Sequence, residues 1–270
     1  MSLPLAPERS LPSLAGEADP ARRFGGLDRL YGVGAVERLA QSHVCVVGIG
    51  GVGSWVAEAL ARSGVGRLTL VDLDNVAESN INRQIHALDG TLGQPKVQAM
   101  AERIAEINPA ARVVQVEDFL TPENAAGLLQ GMDHVVDAID NVRAKVAIAA
   151  VCRAHGLRLV MAGGAGGKAD PTRIRVDDLA RTEQDPLLAK VRAALRKNHG
   201  FPRDPRRKFG IEAVYSVEPL RYPIAACAPG QAPQGLACAG YGSSVAMTAS
   251  VGLFAAARVL GRLVEQEPQP

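Results

Sequence analysis

Val44–Arg62 reads VCVVGIGGVGSWVAEALAR, and the rest of the chain is organised around it. A β-branched run (Val44, Val46, Val47) meets a glycine cluster, and an Ala/Leu-rich amphipathic stretch follows. That order is strand, tight turn, helix. Gly48, Gly50 and Gly53 fall on the G-x-G-x-x-G spacing of a dinucleotide-binding turn. The first glycine permits the sharp turn, the second lets a phosphate approach the backbone, and the third lets the helix pack close to the strand. The free N–H groups at the helix start then face the phosphates. Alone, this signature says a nucleotide on a doubly wound sheet, with NAD as the usual ligand.

Working outward, strands and helices alternate. Strands are expected at His43–Val47, Arg67–Val71, Arg112–Val116, His134–Ala138 and Leu157–Met161. Helices are expected from Gly51 to Arg62, from Gln94-Pro95-Lys96 to Ile107, as a short turn capped by Thr121-Pro122-Glu123, and from Asn141 to His155. Arg22–Gln41 has a helical pattern ahead of the first strand. Beyond Lys168 the pattern loosens into a strand at Thr172–Val176, a helix at Pro186–Arg196, a strand at Ala213–Val217 and a helix near Ser243–Leu263. The fold class is therefore α/β: a doubly wound, mostly parallel sheet of Rossmann-like type. A C-terminal extension completes the sheet, and a basic helix-loop is inserted in it. Ligands of such sheets bind beyond the carboxyl ends of the strands. Asp72 and Asp74 end the second strand and Asp140 and Asn141 follow the fourth, so both pairs should converge on the glycine turn.

Composition narrows the class. The chain has 270 residues, 47% hydrophobic and 4% aromatic, which suits an aliphatic α/β core. The four cysteines (Cys45, Cys152, Cys227, Cys238) form no C-x-x-C pair, so neither a zinc ribbon nor a disulfide framework is indicated, and a reduced cytoplasmic setting is expected. Met1–Pro20 carries no apolar run and is expected to be a disordered arm rather than a signal peptide. No Asp, Glu, Lys or Arg occurs between Arg221 and Arg258. The first half of that segment is broken by prolines, and Ser243–Ala257 is short of the roughly 20 apolar residues of a span. A buried closing helix is expected there, and no membrane.

The connection after the second strand, Asn75–Gly93, is long and polar for an α/β domain, which is usually functional. Together with the glycine turn it completes a set: Gly48-x-Gly50-Gly51-x-Gly53, Asp72-x-Asp74, Asn80-x-x-Arg83-Gln84, Gln94-Pro95-Lys96 and Asp137-x-x-Asp140-Asn141. Over Arg23–Gly167 this set resembles the ThiF/MoeB/HesA superfamily of adenylating enzymes, related to the ubiquitin-activating enzymes. The resemblance implies that the glycine turn, Asp72, Asp74, Asn80, Gln84 and Asn141 hold ATP. It implies that Arg83 and Lys96 contact the phosphates, that Asp140 serves ATP and Mg2+, and that Arg23 or Arg29 reaches the partner subunit's phosphates. Adenylation develops charge on phosphate oxygens, which Arg, Lys and Mg2+ stabilise; hydride transfer has no use for such a cluster.

Along the whole chain, further segments resemble the tRNA threonylcarbamoyladenosine dehydratase branch. They are Arg23-Phe24-Gly25-Gly26 with Arg29-Leu30-Tyr31-Gly32, Asn82–Leu88, Gly163-Gly164-Ala165-Gly166-Gly167, Asp170-Pro171-Thr172 and Cys238-Ala239-Gly240-Tyr241-Gly242. That branch implies ATP-dependent cyclisation of the threonylcarbamoyl group on a tRNA adenosine beside the anticodon. The carboxylate is adenylated and then captured by a nitrogen of the same modification. It also implies a homodimer, an additional monovalent cation (Na+ or K+), and room for sulfur-metabolism protein partners. The organisation expected is an arm over 1–20, an ATP-binding adenylating core over 21–167, and a C-terminal part of the same domain over 168–270. Activation of a ubiquitin-like sulfur carrier protein, or a NAD(P)-binding oxidoreductase or idle nucleotide-binding module, are the alternatives.

Several residues carry two readings. Asn80 and Gln84 either touch the nucleotide or only order their loop. Cys45 and Cys152 read as core. Cys238 either acts chemically or not, since intramolecular cyclisation needs no thioester. His86 is a weaker candidate base. Between Lys190 and Lys208 the charge is +7, which leaves the rest of the chain at −5 out of an overall +2. This concentration is either a solvated face or a contact for a phosphate backbone. Arg196, Lys197, Arg203, Arg206, Arg207 and Lys208 are the candidates for tRNA; DNA is not expected.

Overall fold

β1 (His43–Val47) is buried along its whole length, as a strand covered on both faces must be. The computed structural model describes residues 18–204, 206–222 and 241–265. Most of the expected arm, together with Cys227 and Cys238, lies outside the described residues. β1 pairs in parallel with β2 (Arg67–Val71) on one side and with β4 (His134–Asp137) on the other. β3 (Arg112–Val116) extends the first side. β5 (Arg158–Ala162), β7 (Glu212–Ser216) and β6 (Ile174–Asp178) extend the second. The order is β3-β2-β1-β4-β5-β7-β6, and only β6 runs antiparallel, against β7. The chain winds one way from β1 to β3 and then returns to place β4 on β1's other edge. The switch point therefore falls between β1 and β4, and the crevice beyond their carboxyl ends is the place for a ligand.

Alternation along each strand divides the core. Val44 and Val46 join the cluster under α3 (Ala35–Gln41), α4 (Gly53–Arg62), α5 (Lys96–Ile107) and α9 (Val245–Val264). Cys45 and Val47 face the cluster under α6 (Ala125–Leu128), α7 (Val142–His155) and α8 (Pro186–Asn198). This two-residue period is the pleat itself.

The differences from the expected elements have local causes. The pattern over Arg22–Gln41 is interrupted by glycines, and it folds as α1 (Pro20–Phe24), α2 (Gly26–Tyr31) and α3. Asp19 caps α1 through its carboxylate. α4 begins at Gly53 rather than Gly51, because Gly50–Val52 form the turn. Thr121 does not cap α6; Asn124 stands at that position, and its Oδ1 accepts from the Thr121 N–H. α9 runs 20 residues to Val264, in agreement with the helix expected near Ser243–Leu263. By length and composition it could cross a membrane, yet half of it is buried in the fold. Gly252 lets it ride directly on the Val52 carbonyl and Trp55 at the start of α4. Arg258 and Arg262 on α9 pair with Glu212 of β7 at 2.6 and 2.7 Å.

Candidate active site

A cavity of about 810 Å3 opens at the switch point, within the usual range for a small-molecule site. Its floor is the turn after β1. Gly48 has φ +88, and a Cβ there would fall 2.7 Å from Ile139 Cγ2 and 3.1 Å from the Ala138 carbonyl. Only glycine fits, on both backbone and steric grounds. A Cβ on Gly53 would collide with the Gly48 carbonyl oxygen, which is the close helix-to-strand approach the spacing requires. The N–H groups of Gly50, Gly51 and Val52 donate to nothing among the described residues. They stand at the amino end of α4, where peptide dipoles and free donors favour an anion.

Carboxylates and cations surround that turn. Asp72 follows β2; its Oδ2 accepts from the Ile49 N–H at 2.6 Å and its Oδ1 from the Asp74 N–H at 2.9 Å. Burial pushes its pKa up, while the Lys96 ammonium and these two N–H donors pull it back. Lys96 opens α5 and is buried. Its Nζ donates to Asp74 Oδ2 at 2.7 Å and lies 3.9 Å from Asp72 Oδ1. A cation at a helix amino end opposes the macrodipole, and the two carboxylates offset that cost.

The connection between β2 and α5 wraps over the turn. The Arg83 side chain lies across Gly51, 3.2 Å from where a Cβ would be. Its backbone carbonyl accepts from Trp55 Nε1 at 2.9 Å, which pins it to α4. Its guanidinium donates to the Ser79 carbonyl at 2.7 Å and to Asn82 Oδ1 at 2.9 Å. Neither acceptor is charged, so the cation remains available to a phosphate. Gln84 lines the cavity with Oε1 buried and without a partner among the described residues. Asn80 does not line it; its Oδ1 accepts from the Ala77 N–H and orders the connection. Asp140 and Asn141 stand exposed at the mouth, where Asn141 also caps α7 by accepting from the Ala144 N–H at 3.1 Å.

Thus the cavity brings together Gly48, Gly50, Gly51, Asp72, Asp74, Arg83, Gln84, Lys96, Asp140 and Asn141, drawn from five separate segments. Gly53 supports it from behind. Arg23 and Arg29 are elsewhere. Arg23 donates to the Glu106 and Ile107 carbonyls at 3.3 and 2.6 Å, closing the carboxyl end of α5. Arg29 is exposed and makes no ion pair among the described residues.

The second half of the cavity wall is built by residues that the pattern of the sequence does not single out. Asp185 caps α8 by accepting from the Leu188 N–H, and it also accepts from the Gly164 N–H at 2.9 Å. Lys168 is buried, with Nζ on the Ser216 carbonyl at 2.6 Å; burial pulls its pKa down. Behind the wall, Lys145 and Asp137 form a fully buried pair at 2.9 Å. A lysine in a helix normally reads as solvated. The one available signal was that Val142–His155 is apolar on nearly every side around it.

Cys45 and Cys152 are buried, and burial pushes each thiol up to about 12, as core residues rather than nucleophiles. His86 lies outside this cavity. Burial pulls its pKa down to about 4, and neither ring nitrogen has a partner among the described residues.

The basic segment leaves the site along α8. Pro186 and Leu187 line the cavity, and the helix carries the chain about 20 Å away over its 13 residues. The loop beyond is braced. Phe201 and Phe209 pack at 4.9 Å between centroids. Asp178 accepts from the Phe209 and Gly210 N–H groups at 2.8 Å. Arg196 is part of the brace, donating to the Pro202 carbonyl and lying over the Phe209 ring. Lys197, Arg203, Arg206, Arg207 and Lys208 are exposed.

Comparison with known proteins agrees with this geometry. Residues 25–270 match the ThiF family. The tRNA threonylcarbamoyladenosine dehydratase of Haemophilus influenzae is 48% identical over 250 residues, covering 91% of this chain and 95% of the relative. The enzyme of the same description from Escherichia coli K12 is 48% identical over 251 residues, covering 90% and 94%. A solved structure of the E. coli dehydratase, TcdA, in complex with ATP superposes with a TM-score of 0.81 at 47% identity, covering 90% and 94%.

Proposed function

Because this chain belongs to the ThiF family, we propose that its cavity adenylates a carboxylate, and that the chain is an ATP-dependent tRNA threonylcarbamoyladenosine dehydratase. One observation carries the choice of branch: the likeness to dehydratases runs at 48% identity over 91% of the chain, well beyond the nucleotide core. The cluster of Arg83 and Lys96 beside the free N–H groups of Gly50–Val52 supports phosphate chemistry over hydride transfer.

The phosphates of ATP lie over the turn after β1, with the ribose beside Asp72 and Asp74. The threonyl carboxylate attacks the α-phosphorus and pyrophosphate leaves. A nitrogen of the carbamoyl group then attacks the acyl carbon, AMP leaves, and the nucleoside has lost one water. Arg83 and Lys96 meet the negative charge that grows on the phosphate oxygens, a role typically worth a few kcal/mol each. Lys96 exchanges Asp74 and Asp72 for phosphate when ATP enters. Among the described residues no three His, Cys, Asp or Glu cluster as a metal site. The exposed Asp140 fits Mg2+ nonetheless, since that ion is commonly held by one or two carboxylates, phosphates and waters. There Mg2+ would neutralise charge on the triphosphate. The family resemblance also implies a bound monovalent cation, Na+ or K+.

A homodimer fits the division between the two N-terminal arginines. Arg23 is committed to the end of α5, which leaves Arg29 to reach a partner subunit's phosphates. The braced loop with Lys197, Arg203, Arg206, Arg207 and Lys208 is the docking surface for the tRNA backbone, with Arg196 as its support. About 20 Å along α8 separates it from the cavity, a few nucleotides of a folded RNA. The work belongs in the cytoplasm, where tRNA is modified, and leaves room for sulfur-metabolism protein partners. Cys238 has no required part in this chemistry.

The test is incubation with ATP and threonylcarbamoylated tRNA, followed by mass spectrometry of the nucleosides. Loss of one water from the modified nucleoside, with AMP and pyrophosphate formed in equal amounts, is the expected result. Turnover only with a diglycine-tailed carrier protein would move the chain to the sulfur-carrier activators.

A further inference from the structure

Lys145 is fully buried in the middle of α7, and all three of its ammonium protons have acceptors. Nζ donates to Asp137 Oδ1 at 2.9 Å, to the Ala162 carbonyl at 2.8 Å and, more weakly, to the Asp137 carbonyl at 3.5 Å. Asp137 is the last residue of β4 and Ala162 the last of β5. One ammonium thus ties together the carboxyl ends of the two strands. Immediately beyond them, Ala138–Asp140 and Gly163–Gly166 form facing parts of the cavity wall.

The other end of the pair is equally committed. Asp137 Oδ1 also accepts from the Ile139 N–H at 3.2 Å, folding the first residues after β4 back on the strand. Ala138 and Ile139 in turn lie against Gly48, where no Cβ fits. The contact chain therefore runs from Lys145 through Asp137 to the turn bearing Asp140, and from there to the glycine turn. Burial pushes the Asp137 carboxyl up while Lys145 draws it down. Its Oδ2 has no partner among the described residues. Buried pairs of this kind are often no more stabilising than well-packed apolar side chains of the same volume. Stability alone therefore does not account for a lysine here.

We infer that Asp137 and Lys145 are positioning residues of the adenylation site: together they set the turn that carries Asp140 and the loop Gly163–Gly167 at a fixed separation. The inference rests on the cavity being an adenylation site. Neither side chain touches substrate. Each acts through the backbone that it holds, and a misplacement of about 1 Å at a reacting centre can cost on the order of a hundredfold in rate.

The experiment compares the full-length wild type with Asp140→Ala, Asp137→Asn, Lys145→Met and the uncharged double variant Asp137→Asn/Lys145→Met. Thermal unfolding, the Kd for ATP, and kcat and KM with threonylcarbamoylated tRNA are measured for each. Lys145→Met alone leaves a buried acid unpaired and should unfold at lower temperature. The double variant leaves no unpaired charge and should unfold close to wild type. Its Kd for ATP should stay within threefold, because the free N–H groups and Asp72 are untouched, while kcat falls about tenfold to a hundredfold. A kcat within threefold of wild type in the folded double variant overturns the inference, as does loss of ATP binding in parallel with kcat. Should the double variant not fold, Asp137→Asn decides, because it keeps every heavy-atom position; a kcat drop of threefold or more supports the inference and an unchanged kcat overturns it. Asp140→Ala reports on the premise separately: full activity there means that the adenylation reading fails, whatever the pair does.

Discussion

Replacing Lys96 by methionine is expected to separate what this side chain does for the fold from what it does for the reaction. In the structure its ammonium sits between two carboxylates, 2.7 Å from Asp74 Oδ2 and 3.9 Å from Asp72 Oδ1. The first contact contributes little to stability, because the Asp74 side chain is 59% exposed and such pairs are worth about 0–1 kcal/mol. The second is the costly one. At 3.9 Å and an effective dielectric constant of about 20, the gross attraction is about 4 kcal/mol. Removing Lys96 gives back only its own desolvation and leaves the Asp72 carboxylate buried without its counter-charge, so the net loss is about 3–5 kcal/mol. The methylenes of methionine keep the packing. Urea unfolding should show that loss as a lower midpoint with an unchanged slope.

Turnover of the folded variant should also fall, by about a hundredfold to a thousandfold, the usual effect of removing one charge-stabilising donor from a reacting oxyanion. The pH profile supplies a second readout. Lys96 holds the Asp72 carboxyl down against burial. Without it Asp72 rises further, and the acid limb of kcat/KM should move to higher pH. Adding Asp74→Asn to Lys96→Met should recover part of the stability and none of the turnover. A Lys96→Met protein that turns over within threefold of wild type would refute the reasoning, as would a double variant in which turnover returns with stability.

Arg83→Ala and Asp140→Ala should each lower kcat at least a hundredfold with unfolding midpoints near wild type, since Arg83 lies in a connection and Asp140 at the cavity mouth; normal turnover in either would sink the adenylation assignment. Mixing Arg29→Ala with Asp140→Ala subunits should restore partial activity if Arg29 acts across a dimer, and Arg23→Ala should not complement in the same way; no recovery despite demonstrated subunit exchange would mean a self-contained site. Burial holds His86 and His134 at about 4 in the folded chain against an ordinary 6.5. Each therefore contributes stability that is complete above pH 6.5 and is lost as the pH falls toward 4, about 3 kcal/mol per residue. His86→Phe should flatten the dependence of the urea midpoint on pH between 7 and 5, and an unaltered dependence would show that His86 is not neutral in the fold. Reversing Arg203, Arg206 and Arg207 to Glu should weaken tRNA binding and lower the salt slope by about 2–3 while leaving the Kd for ATP unchanged; unaltered tRNA affinity would reduce the basic loop to a solvated face.

The sheet and half of the site could be read in the sequence because both depend on local rules. A buried parallel strand shows as a short β-branched run, and the β1 and β2 boundaries agree with the runs that announce them, as do those of the more exposed edge strand β3. The turn glycines show because their positions admit no side chain. Asp72, Arg83, Lys96 and Asp140 show because each lies at a strand end, in a long polar connection or at a helix start, where a charged residue needs a reason. Asp185, Lys168 and Lys145 have no such local mark. Asp185 looks like any helix cap, and it is one; that its other oxygen holds Gly164 is set by β5, β7 and α8 coming together. Lys145 looks like any lysine on a helix until β4 and β5 close over it. The division within the basic segment is invisible for the same reason. Composition counts Arg196 with Lys197 and Arg203, and only the packing of Phe201 on Phe209 makes the first a brace and leaves the others exposed. Local pattern thus marks the groups proposed to meet the nucleotide, because phosphate chemistry dictates their type and place along the chain. The groups that hold the two walls of the cavity in register answer to tertiary geometry alone. It follows that substitutions in the second set should change the rate of the reaction more than the affinity for ATP, and substitutions in the glycine turn should change both.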